Sequence, residues 1–280
     1  WNTQEKIDTV AWNNFIKGKH LFLMENVTER KFLAPDYSEE TVIASKTSGF
    51  QNATFTSLAT DIQPFAFYED NIKLLNVYYL NPISKGSLKK YNFKLEETIL
   101  KDQDTVFVIS FKPKKHKNFD GLKGVLYINS NRYAIQNVIA STYEKSTIQL
   151  KIQQQYQWIN NQYWFPDQLN YVLKFENFSN YKGVSTVVEG KSYISQVLFD
   201  VPLRHKDFAL ETVLIAEDAA KKDSLFWNNA RVQRLDSKEL KTYVFLDSIG
   251  KKNDFDKKLH IIRKIIDNKI SASFVDIDLS

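Results

Sequence analysis

The residues that could do chemistry are few and poorly spaced for it. The four histidines, His20, His116, His205 and His260, are scattered, and no H-x-x-x-H pair sets two imidazoles on one helix face for zinc. The absence of cysteine removes thiol nucleophiles, thiolate metal sites and disulfides together. His205-Lys206-Asp207 brings an acid near a base, but neighbours on a strand point apart, and a surface turn after Pro202 is the expectation. Gly121-Leu122-Lys123-Gly124 lacks the spacing and the hydroxyl of a phosphate loop. Ser48-Gly49 and Gly86-Ser87 lack the flanking glycines of a nucleophile elbow. The carboxylate pairs Asp102 with Asp104, Glu96 with Glu97 and Asp276 with Asp278 sit in polar, turn-like settings, without the desolvation that raises a pKa for acid catalysis. Asp102 and Asp104 also lack the further ligands of a calcium loop. The expectation is a non-catalytic chain that needs no cofactor and no metal.

Binding surfaces remain. Tyr127, Tyr133, Tyr156, Trp158, Trp164 and Tyr171 fall in the strand-like middle of the chain. They are candidates to line an apolar site on the sheet, or simply to fill its core. The densest basic cluster is Lys112-Pro113-Lys114-Lys115-His116-Lys117. It reads either as a solvated loop between strands or as a docking patch for an anionic membrane face. Phe255, Leu259, Ile262, Ile266 and Ile270 form a stripe at helical spacing, which packs on its own domain or faces a partner.

The elements that must position these residues are most legible between 101 and 203. Ile148 to Trp158 alternates with period two: five of its six even positions are apolar and all five odd ones are Gln or Lys. That predicts a strand with one face in a core and one in water. Thr105 to Phe111 is apolar on both parities, as a strand buried on both faces would be. Val125 to Ile128 and Tyr133 to Ala140 flank Asn129-Ser130-Asn131 as a hairpin. Asn160-Asn161 turns into Tyr163 to Phe175, where Pro166 predicts an edge or a bulge. A strand pair is expected over Val184 to Phe199 after a turn at Asn177 to Asn180. Residues 1 to about 31 read as helical, and 41 to 91 as short helices linked by loops. Ala216 to Asn229 reads as helix, and Asp236-Ser237-Lys238-Glu239 as a capping box. Phe274 to Leu279 alternates as a strand would. The expected fold is α+β: a curled antiparallel β-meander, or half-barrel, with N-terminal and C-terminal helices. Residues 1–100 are expected to pack on the sheet, 101–203 to form the meander, and 204–280 to form a C-terminal helical region.

Composition is consistent with this. Gly and Pro are 14 of 280 residues, against about 12% in an average protein, which excludes collagenous and Pro-rich disordered classes. The 22 asparagines are expected to supply turns that glycine usually makes. The 39 aromatics provide ample core material. A net charge of +5 is too mild and too dispersed for a nucleic-acid binder. No apolar run exceeds four residues, far short of a membrane-spanning helix. Trp1 opens the sequence without a signal-peptide pattern, as expected of a mature or excised segment.

Several segments taken in order resemble a known family. They are Leu23 to Val27, Ala44-Ser45 through Ser48-Gly49, Pro64 to Tyr68, Tyr79 to Ser84, Tyr91 to Glu96, Phe111 to Lys114, Phe119 to Ile128 and Trp164-Phe165-Pro166. The series resembles an uncharacterised family of large outer-membrane proteins typical of the Bacteroidetes. There, a carboxypeptidase-regulatory-like β-sandwich precedes a periplasmic domain like this chain, and an outer-membrane β-barrel follows it. Gly124 to Ala140, with the later Trp164-Phe165-Pro166, is also similar to the lipoprotein-carrier half-barrel fold. The resemblance implies a domain on the periplasmic side of the outer membrane. Its implied partners are its own barrel and sandwich. The aromatic face of the curled sheet adds the expectation that it binds an apolar ligand, a lipidated protein or an outer-membrane client. A structural spacer or plug for the barrel is the alternative, and an envelope hydrolase ranks third. The family supplies no catalytic residues to carry over.

Overall fold

The computed structural model describes residues 17–51, 62, 64–75, 77–101, 103–115, 118–144, 148–176, 185–253 and 255. It divides the chain into two units: Trp1–Thr56 with Pro202–Ser280, and Ser57–Val201.

Where the sequence suggests helix before Pro35, the chain instead forms a hairpin. β1 (Met24–Leu33) and β2 (Tyr37–Thr47) pair antiparallel through the turn at Ala34-Pro35-Asp36. The helix expected up to about residue 31 is absent from its described part: residues 17–23 are turn and coil, and from Met24 on β2 offers a partner with buried Val42 and Ala44. Tertiary pairing of this kind outweighs a weak local propensity. The part of that expectation covering residues 1–16 lies outside the described residues.

Of the short helices expected over 41–91, none is an α-helix among the described residues, which form strands, turns and one 3-10 turn. β2 runs to Thr47, and β3 (Asn71–Leu74) pairs with β4 (Val77–Leu80) as a two-stranded ribbon. Asn81, fully buried, closes the ribbon: its Nδ2 donates to Phe67 O (3.1 Å) and Glu69 O (2.7 Å), and its Oδ1 accepts from Ile83 N. A 3-10 turn follows at Ser87–Lys89.

The expected meander is present and open. β5 (Tyr91–Lys101), β6 (Asp104–Pro113), β7 (Leu122–Asn129), β8 (Ala134–Thr142), β9 (Ile148–Ile159), β10 (Tyr163–Glu176) and β11 (Ser185–Tyr193) form one seven-stranded sheet in sequence order. All neighbours are antiparallel. β9 keeps its predicted alternation, with Leu150, Ile152, Gln154 and Tyr156 buried and Gln149, Lys151 and Gln157 exposed. Asn160 and Asn161 both take positive φ (52° and 53°), and Gln162 N donates to Ile159 O. That is the turn geometry for which asparagine substitutes for glycine. At Pro166, which has no N–H to donate, the β9–β10 register skips a residue, so the bulge is realised. Asp167 there accepts from Ile194 N and from Gln157 Nε2. Gly124 is required by close approach, since a Cβ there would lie 1.9 Å from Ile139 O of the adjacent strand. Two expectations shift. Tyr133 is not the first residue of a strand but sits in the β7–β8 turn at φ 50°. The strand pair over Val184 to Phe199 is a single strand ending at Tyr193, with positive φ at Gln196. The turn at Asn177 to Asn180 lies outside the described residues.

The C-terminal segment supplies β12 (Val213–Ile215), parallel to β2, a 3-10 turn at Ala219–Lys221, and helices α1 (Ser224–Ala230) and α2 (Ser237–Asn253). The single helix expected over Ala216 to Asn229 is split, because Asp223 caps α1 by accepting from Phe226 N. The capping box of α2 forms in both directions: Glu239 N donates to Asp236 Oδ1, and Asp236 N donates to Glu239 Oε2. Phe274 to Leu279 lies outside the described residues.

Candidate interaction surfaces

In the second unit, the apolar face of the meander is occupied by the chain's own residues. Phe67, Ile72 and Leu74, from the segment before β5, pack with Leu126, Val138, Ile152 and Leu173 of the sheet. Three tyrosines fasten this cover. Tyr156 OH donates to Gln154 Oε1 and accepts from Phe67 N, both at 2.8 Å, while Gln154 Nε2 donates to Pro64 O. Tyr91 OH donates to Leu80 O (2.6 Å) and accepts from Leu122 N. Tyr68 OH accepts from Ile135 N. Gln154 has no exposed surface, and its bonds explain why a polar residue is tolerated there. Burial pushes the phenols of Tyr156 and Tyr171 up, and that of Tyr91 up to about 12.

The six aromatics singled out from sequence therefore separate. Tyr156 is a core residue, and Trp164 and Tyr171 pack against the same core. Tyr171 lies over Gly190, where a Cβ would come within 2.2 Å of its ring. Tyr127 pairs across the sheet with Val108 and Asn137, and alternates with the core residue Leu126, so it is on the opposite face. Trp158 and Tyr133 belong to the end of the sheet where the β5–β6, β7–β8 and β9–β10 hairpins turn.

That hairpin end is rich in aromatic contacts. Trp158 and Trp164 are 5.9 Å apart, and the Arg132 guanidinium sits 5.0 Å from the Trp158 ring, within cation–π range. Trp164 Nε1 donates to Asn131 O, which ties β10 to the β7–β8 turn. Tyr163 and Phe165 both pack on Phe199, and Phe65 packs on Phe165. Tyr133, 75% exposed, stacks over Phe107; Leu100, beside the β5–β6 turn, and Leu198, beside Phe199, are also exposed. Aromatic and Arg side chains in this state are those that dominate protein interfaces.

The basic cluster lies at the other end of the sheet. Lys112 and Lys115 are exposed, and Lys114 Nζ donates to Leu88 O. Lys117 lies outside the described residues. So do Leu259, Ile262 and Ile266 of the C-terminal stripe. Phe255 is half-buried with its ring 5.6 Å from Phe50.

In the first unit a polar cluster joins β1 to the helices. Arg231 donates to both oxygens of Glu25, at 2.6 and 2.8 Å, and Tyr243 OH donates to Glu25 Oε1. The bond to Glu25 raises the Arg231 pKa, and burial together with that carboxylate pushes the Tyr243 phenol up. Buried Glu39 accepts from Lys31 Nζ and Ala209 N, bonds that hold its carboxyl below the ordinary range. His205 is in a 3-10 turn and stacks on Tyr37 at 4.3 Å, as suits a surface turn rather than an acid–base pair. Among the described residues, no group of three or more His, Asp or Glu is placed to hold a metal ion.

Sequence reasoning missed the cover, Gln154 as its anchor, and the Glu25–Arg231 pair. Gln154 carried a signal, as the lone polar residue on the apolar parity of β9. Glu25 and Arg231 are too far apart in sequence to carry one.

A family model described as a family of unknown function (DUF5686) matches residues 3–194, and the chain belongs to that family. No curated protein and no solved structure matches it.

Proposed function

We propose that this family member is a non-catalytic interaction module of an envelope protein. It would work on the periplasmic side of the outer membrane beside its own barrel and sandwich domains. The observation that supports an interaction module over a ligand carrier is the cover. Ile62, Phe67, Ile72, Leu74 and Tyr79 already occupy the apolar face, and Tyr156, Tyr91 and Tyr68 bond their segment to it. On this reading the sheet is of the lipoprotein-carrier half-barrel type, filled by its own chain rather than by a lipid. A protein partner then meets the hairpin end, with Tyr133, Trp158, Trp164 and Arg132 as its contact residues. The envelope location rests on the ordered segments from Leu23 to Trp164-Phe165-Pro166. The same filled face also suits a structural spacer for the barrel, which is the second reading.

The test places a photo-crosslinking amino acid at Tyr133, and separately at Lys151 on the outer face, in cells making the full-length protein. The module predicts a discrete crosslinked envelope protein from position 133 and none from 151, with the purified chain at its bare mass by native mass spectrometry. Crosslinks from 133 confined to the protein's own barrel select the spacer. A stoichiometric co-purified lipid overturns both.

A further inference from the structure

Opposite the hairpin end, the sheet carries an exposed leucine set among lysines. Leu88 is the middle residue of the 3-10 turn Ser87–Lys89 and is 75% exposed. It is not a loose tip. Ser84 and Ser87 are buried, Ser84 Oγ donates to Asn81 O at 2.7 Å, and Ser87 N donates to Ser84 O. Gly86 turns the chain at φ 83°. Lys114 N donates to Lys90 O and Lys114 Nζ to Leu88 O (2.8 and 2.9 Å). These bonds fix the turn beside the last residues of β6, so a built platform pushes one apolar side chain into water.

The cations around it come from two segments far apart in sequence. Residues 83–90 supply Lys85, Lys89 and Lys90, and residues 111–115 supply Lys112, Lys114 and Lys115, with no acid in either segment. Glu69, Asp70 and Asp120 at the root of the loop bond to it through their backbone carbonyls, to Asn81 Nδ2, Asn81 N and Leu80 N, which sets three acids against six lysines. Exposed Ile83 adds a second apolar group.

We infer that this end of the sheet docks on an anionic phospholipid bilayer, with Leu88 entering the headgroup–acyl boundary and the lysines meeting lipid phosphates. Charge complementarity selects an anionic surface, and each Lys near such a surface contributes about 1 kcal/mol. Leu88 selects a bilayer over a nucleic acid. A phosphate backbone gives an exposed leucine nothing to bury against, whereas the interface of a bilayer does. The inference does not depend on the protein partner proposed for the hairpin end.

The test is co-sedimentation of the 280-residue chain with phosphatidylcholine vesicles, with and without about 30% phosphatidylglycerol. Binding is expected only to the anionic vesicles, and is expected to weaken as salt shortens the screening length. The triple variant Lys85→Ala/Lys89→Ala/Lys115→Ala should lower partitioning about 100-fold. Leu88→Ser should lower it roughly tenfold. All four side chains are exposed, so far-UV circular dichroism should be unchanged, and a variant that loses its spectrum is replaced by Lys89→Gln/Lys115→Gln. Equal binding to neutral vesicles, or full binding by the lysine variant, overturns the inference. So does a Leu88→Ser chain that binds vesicles as wild type while a double-stranded oligonucleotide competes it off, which would mark a general polyanion site.

Discussion

Replacing Tyr156 by Phe tests whether the cover on the meander is held by hydrogen bonds or only by apolar packing. The ring stays and the hydroxyl goes, so core volume is nearly conserved. Two buried groups lose their partner: Phe67 N–H and Gln154 Oε1, each bonded at 2.8 Å. An orphaned buried polar group costs about 1–3 kcal/mol, and the deleted hydroxyl no longer has to be desolvated. The net loss is therefore on the order of 2–4 kcal/mol, concentrated in the segment around Phe67. Because the chain forms two compact units, one melting temperature would average unrelated transitions. Hydrogen exchange of the peptide spanning residues 64–75 is the better assay, since local opening reports the stability of that segment. Its protection should fall by a factor of about 30 to several hundred, with dye binding to the uncovered apolar face. The control is Tyr133→Phe, where an exposed ring predicts a change within about 0.5 kcal/mol. If exchange around Phe67 is unchanged in Tyr156→Phe, the hydroxyl does not anchor the cover and the reasoning fails.

Two further predictions concern groups away from that anchor. Arg231→Met removes two charge-assisted bonds from Glu25 and should cost about 2–3 kcal/mol in urea unfolding followed by the fluorescence of neighbouring Trp227; a loss below about 1 kcal/mol would count against that bridge as a tie between β1 and the helices. In alkali, the Tyr91 phenol is pushed from 10.0 up to about 12 by burial, so the unfolded chain releases that proton first. Stability from this group is whole below about pH 10 and is lost between about pH 10 and 12. The urea midpoint should be level from about pH 7 to 9 and fall above about pH 10, and a level midpoint through about pH 11 would refute the assignment.

The sequence by itself determined what depends on nearest neighbours. The alternation from Ile148 to Trp158, the double asparagine at 160–161, the proline bulge at 166 and the capping box at Asp236–Glu239 were all legible. In each case the cause, a period, a left-handed turn, a missing N–H or a reciprocal cap, lies within a few residues. The family-like order of segments was legible for the same reason. The sequence alone misread residues 24–31, where helical spacing lost to pairing with β2. It misread 71–80, where two four-residue strands are too short to show a period.

Only the tertiary structure decided which aromatics are core and which are surface. Tyr156 and Tyr133 look alike as strand tyrosines, yet one is bonded beneath the cover and the other stacks at a hairpin tip. Burial is a property of what packs on a residue, and here that is a segment about 90 positions away, as the bond from Gln154 to Pro64 records. The same holds for Leu88 and Lys114, which come together only because β5 and β6 pair. Composition supplied the lysines and the aromatics; the meander placed Tyr133, Trp158 and Trp164 at one end of the sheet and Lys112, Lys114 and Lys115 at the other.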